Sequence, residues 1–334
     1  MKTVRVIEGV TPDTITDELL NSNEPLVLKN FGKEWPLPQL ENQNISTAME
    51  YLNGFYQGMP VSAGLGDPEN KGRIFYNESI QGFNFKAGNA YISKVFERIL
   101  KHSEDDNPPT IYIGSTKVET LLPGFRDLHF VNLEKQKAVV NIWMGNQSRI
   151  AAHYDFPANL ACCLYGKRRF TLFPPEQLEN LYVGPLELSP GGQEISMVDF
   201  ANPDFEAFPK FKLALNEASI ADLDPGDALI LPGMWWHHVE AFQSFNVLMT
   251  HWWRPDPVFG GRPIDALQLA IMSIRDLPKE QREAWKNQFD YYVFENETHS
   301  HDHIPEKAQG MLHRPLTESA AINIRRNVIN KLKY

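Results

Sequence analysis

Between Thr110 and Trp253 the chain runs as short apolar stretches, each cut within a few residues by glycine or proline. Strands are predicted at 111–114, 138–144, 159–165, 169–173, 228–231 and 246–252. The breaks are Gly145-Asn146, Gly166, Pro174-Pro175, Gly184-Pro185, Pro190-Gly191-Gly192 and Asp224-Pro225-Gly226-Asp227. Such residues end strands because proline lacks a donor and glycine turns the chain where other residues are strained. Many short strands with no helical repeat between them close as a sandwich, a jelly roll or a barrel.

The flanks read differently. Residues 25–30 form a buried strand closed by Gly32 and Trp35-Pro36, and helices are predicted at 46–55 and 91–100. In the second helix Ile92, Val95, Phe96 and Ile99 recur at helical spacing. After Pro257 the pattern is helical again. Leu267, Ala270, Ile271 and Ile274 share a face, Pro278 suits a first helical turn, and Trp285, Phe289 and Tyr292 line the helix it opens. Ile324, Val328 and Leu332 form a last stripe, which packs either on the β-core or on a second copy of the chain. The expected division is a domain over 1–257, with its core at about 110–257, and a helical region over 258–334.

Composition excludes some partners. The chain has 334 residues, 42% of them apolar, enough for a sizeable core. Its 32 basic and 42 acidic residues leave a net charge of −10, which argues against nucleic acid or an anionic membrane as main partner. No apolar run approaches a membrane span, and the first residues do not resemble a signal peptide, so a cytoplasmic setting is expected. The two cysteines, Cys162 and Cys163, are adjacent. On a strand they point to opposite faces, so no structural disulfide is expected, and two are too few for a zinc–cysteine site.

The segment Ala151-Ala152-His153-Tyr154-Asp155 carries chemistry. On a strand, residues two apart face the same way, so His153 and Asp155 can hold one ion between them. A histidine and a carboxylate on one face are two of the three ligands of a 2-His-1-carboxylate site, which suits Fe(II) and leaves positions open. The third candidate lies in Gly226-Asp227-Ala228-Leu229 through Trp235-Trp236-His237-His238. Only one of two adjacent histidines on a strand can face inward, and spacing does not say which. A pair of hydrogen-bonded core histidines is the plain alternative. His299, His301 and His303 form a competing cluster, but Glu295, Glu297 and Glu306 surround it and the stretch reads as a solvated loop.

Taken in order, His153-Tyr154-Asp155, Gly166-Lys167-Arg168-Arg169-Phe170 through Pro174-Pro175, and the Trp-Trp-His-His run resemble the JmjC/cupin-like Fe(II)- and 2-oxoglutarate-dependent oxygenases. Within them the chain most resembles the branch of the asparaginyl hydroxylase that inhibits hypoxia-inducible factor. The runs 177–185 and 198–205 share that likeness, which is best over 110–257. The resemblance implies a mainly β fold, a double-stranded β-helix (jelly roll) with helical flanks. It implies His153, Asp155 and His237 as ligands of Fe(II), with O2 and 2-oxoglutarate as co-substrates. It assigns Arg168, two after Gly166, to the far carboxylate of 2-oxoglutarate, and Tyr112 and Asn159 to the same molecule.

Ile150 and His251 depart from that branch, which carries threonine and asparagine there; His251 either contacts the co-substrate or is a core histidine. Trp235 and Trp253 wall the pocket or pack the core. The expected activity is hydroxylation of a protein side chain or a small amino-acid-like substrate. N-methyl demethylation and a non-catalytic metal-stabilised module are the alternatives. The branch also implies a homodimer through the C-terminal helices.

Overall fold

The computed structural model describes residues 1–254, 258–294, 301 and 303–333. The chain divides into two compact units, Met1–Pro255 and Asp256–Tyr334.

The first unit is built on eight antiparallel strands: β1 (Val139–Gly145), β2 (Ser148–His153), β3 (Ala158–Tyr165), β4 (Arg168–Phe173), β5 (Ser219–Leu223), β6 (Ala228–Leu231), β7 (Trp236–Ala241) and β8 (Asn246–Trp253). They divide between two sheets, the chain changing sheet at every step except from β4 to β5. One sheet contains the order β5-β4-β7-β2, the other β6-β3-β8-β1, and further strands from the N-terminal region extend both. This is the jelly roll of a double-stranded β-helix. On the second sheet Thr110–Lys117, Val61–Gly66 and Phe85–Ala90 continue outward from β1.

Alternation along β3 shows how the layers form. Leu160, Cys162 and Leu164 face one core, and Ala161 and Cys163 face another. The first core lies under the helices Ile45–Asn53 and Ile92–Lys101, whose Met49, Leu52, Val95, Phe96 and Ile99 pack with Ile142, Met144 and Met249. Fully burying such a side chain contributes about 1.5–3 kcal/mol. The second core lies between the sheets and holds Phe170, Leu172, Leu229, Leu231, Val239 and Leu248. Both cysteines are free and buried on opposite faces of β3, and burial pushes the Cys163 thiol up to about 12.

Two differences from the sequence reading bear on the site. Strands β2, β5 and β7 are absent from the six predicted, since polar or small residues interrupt their apolar character. Asp155 does not share a strand with His153. Strand β2 ends at His153, and Asp155 lies beyond it.

In the second unit the helices are Pro263–Ser273, Lys279–Phe289, Glu306–Gln309 and Glu318–Lys331. Pro278 caps its helix from just outside. Pro257 and His299 lie outside the described residues. Among the described residues of this unit only Ala321 is a buried hydrophobic. No helix among the described residues is long and apolar enough to cross a membrane.

Candidate metal centre

Strands β2 and β7 pair antiparallel, with His153 opposite His237 and a register irregularity between His237 and Val239. The two imidazoles stand 4.2 Å apart between centroids. Asp155 is brought to them by the turn before β7. The Met234 amide donates to the Asp155 carbonyl at 2.7 Å, and a Cβ at Gly233 would lie 2.5 Å from the Phe156 carbonyl oxygen. Only glycine permits that approach, so the Pro232-Gly233 turn locks one ligand segment onto the other. The ligating atoms of His153, Asp155 and His237 all fall within 4.8 Å of one another, the one such cluster among the described residues.

The donor set fits a transition metal. His153 Nδ1 lies 2.9 Å from the Ala151 carbonyl and His237 Nδ1 lies 3.0 Å from that of Trp235. A carbonyl can only accept, so each Nδ1 carries the hydrogen and each Nε2 keeps its lone pair. Burial pulls the His237 pKa down to about 4, which keeps the imidazole neutral, the form that ligates. His237 Nε2 is 3.7 Å from Asp155 Oδ2. Two imidazoles and one carboxylate, with open space on the remaining side, make the facial arrangement typical of Fe(II) oxygenases.

His238 faces the other way. It is buried, 4.6 Å from the Phe200 ring, beside the cluster of Phe173, Phe211 and Trp236. His237→Ala is therefore expected to abolish divalent-metal binding in calorimetry. His238→Ala is expected to leave that binding in place and to lower Tm by leaving a void beside Phe200.

The triad opens into a cavity of about 530 Å³. Tyr112, Asn159 and Arg168 line it together with the ligands. Gly166 takes φ +73° in the turn between β3 and β4 and sets the phase of the cationic run. Lys167 pairs with Asp224 at 2.9 Å and Arg169 with Asp222 at 2.7 Å, both on the outer surface. Arg168 points inward and is 4% exposed, and its Nε has no hydrogen-bond partner. Burial pulls its pKa down, and no carboxylate pairs with it among the described residues. Burial also pushes the Tyr112 phenol up to about 12, against the opposing influence of Arg168, so it stays a neutral donor. Asn159 Oδ1 is likewise buried without a partner.

Three expected site residues lie elsewhere. His251 is on the face of β8 turned from the cavity, with Nδ1 3.2 Å from the Leu160 carbonyl and the side chain 1% exposed. Trp253 packs in the core beneath the helices, and the Trp235 indole donates to the Asn23 carbonyl at 3.2 Å. Strand alternation puts Thr250 and Trp252 on the inner face instead, beside Trp143, whose Nε1 donates to Thr250 Oγ1 at 3.0 Å. Ile150 lines the cavity. Gln193, which the sequence did not single out, reaches Asp155 from a loop. Of the other histidine cluster, His303 is exposed and His299 lies outside the described residues.

The profile of the cupin-like domain family matches residues 12–259. HSPB1-associated protein 1 of Rattus norvegicus is 34% identical over 258 residues, 74% of this chain and 52% of that protein. The lysine-specific demethylase JMJ31 of Arabidopsis thaliana is 29% identical over 121 residues, 36% of this chain and 22% of that protein. The tRNA wybutosine-synthesizing protein 5 of Gallus gallus is 29% identical over 146 residues, 39% of this chain and 43% of that protein. The chain spans about half or less of the length of these relatives. Enzymes of this family typically use Fe(II) and 2-oxoglutarate. With its jelly roll and its His-Asp-His cluster, the chain belongs to the cupin-like JmjC domain family.

Proposed function

We propose that the protein is an Fe(II)- and 2-oxoglutarate-dependent oxygenase that hydroxylates an uncharged group. The observation that carries this reading is Arg168, a buried guanidinium with no carboxylate partner among the described residues, lining the same cavity as the three metal ligands. An unpaired buried cation is costly, and a dicarboxylate would relieve it. Arginine grips a carboxylate through two parallel hydrogen bonds, and the neutral Tyr112 hydroxyl and the Asn159 amide supply further polar contacts. His153, Asp155 and His237 would hold the metal. Fe(II) in such a site couples oxidative decarboxylation of 2-oxoglutarate to insertion of one oxygen atom into a C–H bond. The protein's own tasks are to orient the dianion and to keep water away with Ile150, Phe170, Val239 and Leu248, which line the cavity.

Hydroxylation is favoured over N-demethylation by the character of the wall. Apart from the two histidine ligands, Asp155 and Arg168 are the only acidic or basic side chains among the described residues that line the cavity. Both are committed to the metal and the dicarboxylate in this reading, and no other carboxylate among the described residues lines the cavity to receive a methylammonium. Trp143 and Trp252 pack edge to face with centroids 5.8 Å apart, too close to admit a cation between them as an open aromatic cage would. The substrate, a protein side chain or a small molecule, would enter against Ser62, Phe85 and Ser115.

Protein reconstituted with Fe(II) is expected to release succinate from 2-oxoglutarate in the presence of oxygen, and the His153→Ala variant is not. Mass spectrometry of candidate substrates after turnover is expected to show one added oxygen without formaldehyde. Formaldehyde release would favour demethylation. Absence of succinate across a broad substrate panel would favour a non-catalytic module.

A further inference from the structure

One contact to Asp155 comes from outside the two strands that position the ligands. Gln193 Nε2 donates to Asp155 Oδ1 at 2.7 Å, while Oδ2 is the oxygen that lies 3.7 Å from His237 Nε2. The two carboxylate oxygens therefore have different surroundings. One is engaged by the amide, and the other is presented toward the histidines.

Gln193 is itself firmly held. Its neighbour Glu194, buried, accepts from the Tyr154 hydroxyl. Two residues on, the Ser196 amide donates to the Ala152 carbonyl at 2.7 Å, and Ser196 Oγ donates to the Leu181 carbonyl at 2.5 Å. Residues 193–196 thus run beside residues 152–155 and touch them three times. On the other side of Gln193, Pro190 and Gly191 line the cavity, and the Tyr76 hydroxyl donates to the Leu188 carbonyl at 2.6 Å.

We propose that Gln193 is a positioning residue, which fixes Asp155 to bind the metal through a single oxygen. The proposal rests on the metal-site reading above. A carboxylate with both oxygens free can ligate through one or both. Two-oxygen ligation would take a coordination position that co-substrate or oxygen needs. An amide suits the task because it donates without carrying charge. A lysine or arginine in its place would neutralise Asp155 and repel the ion, whereas glutamine leaves the full negative charge for the metal.

The test uses Co(II) as the probe, added to metal-free protein and followed by calorimetry and by visible absorption, which reports coordination number. Gln193→Met fills similar space and lacks the donor. It is expected to bind Co(II) about 10–100-fold more weakly, with a changed absorption band and an unchanged Tm of the metal-free protein. Gln193→Asn, one methylene too short to reach, is expected to behave the same way. Parent-like affinity and spectrum in Gln193→Met would overturn the proposal. So would a loss of affinity that follows a fall in metal-free Tm, since that marks a structural role alone. If the parent itself binds no Co(II), the metal-site reading falls and the proposal falls with it; binding by the parent that His237→Ala abolishes separates the two.

Discussion

Arg168→Met is expected to raise the Tm of the ligand-free protein by several degrees while removing its affinity for 2-oxoglutarate. Both effects have one cause. Arg168 is 4% exposed, its Nε has no partner and no carboxylate pairs with it among the described residues, so in the absence of ligand the fold carries the desolvation cost of a charge without a counter-charge. Methionine replaces the aliphatic stem and removes the charge. The binding site loses two charge-assisted hydrogen bonds, each about 1.5–3 kcal/mol, which corresponds to a weakening of two orders of magnitude or more. Thermal melts and anaerobic calorimetry with Mn(II) as metal check the two halves. Lys167→Met, on the outer surface, is expected to change neither by much, because its partner Asp224 also bonds Lys29 at 3.0 Å. A Tm that falls in Arg168→Met would mean that the guanidinium serves the fold and not a ligand.

The second large effect concerns the helical unit. We propose that it is completed by a second copy of the chain, and light scattering is expected to give about twice the chain mass of 38.2 kDa. A helix gains stability in water mainly by burying an apolar face. Here Met272, Trp285, Ile322, Ile329 and Leu332 are all at least 43% exposed, and Phe294 is 71% exposed. A helical unit with so little buried apolar surface needs a partner face. A two-fold pairing would cover the same patch on both copies. Ile329→Glu, and a chain ending at Arg314, are each expected to scatter as monomers. A monomeric intact chain would refute the proposal, and a truncated chain that stays dimeric would move the interface elsewhere.

The legible parts of the sequence were those in which local chemistry alone sets the geometry. Pro-Gly and Gly breaks between apolar runs marked five of the eight jelly-roll strands, because strand ends follow from backbone chemistry. The choice of Arg168 came from the family resemblance, and alternation added only that Lys167 and Arg169 share the opposite face; the structure has Arg168 inward and both neighbours paired on the outside. What failed depended on register. Placing His251 and Trp253 at the cavity required the inner face of β8, but Thr250 and Trp252 occupy it, and one residue of phase exchanges the two sets. Gln193 was illegible for another reason. It lies in a Pro-Gly-Gly loop, and only tertiary contacts carry it to Asp155, 38 residues before it.

The uncompensated charge on Arg168 also bears on how long the protein persists. A dianion that binds the folded chain and not the unfolded one adds stability as the logarithm of its concentration, about 2.7 kcal/mol at a hundred times Kd. Where the free protein is already burdened by a buried cation, that increment shifts the small population exposed to proteases. The amount of protein in a cell would then rise and fall with the supply of the dicarboxylate proposed to bind Arg168.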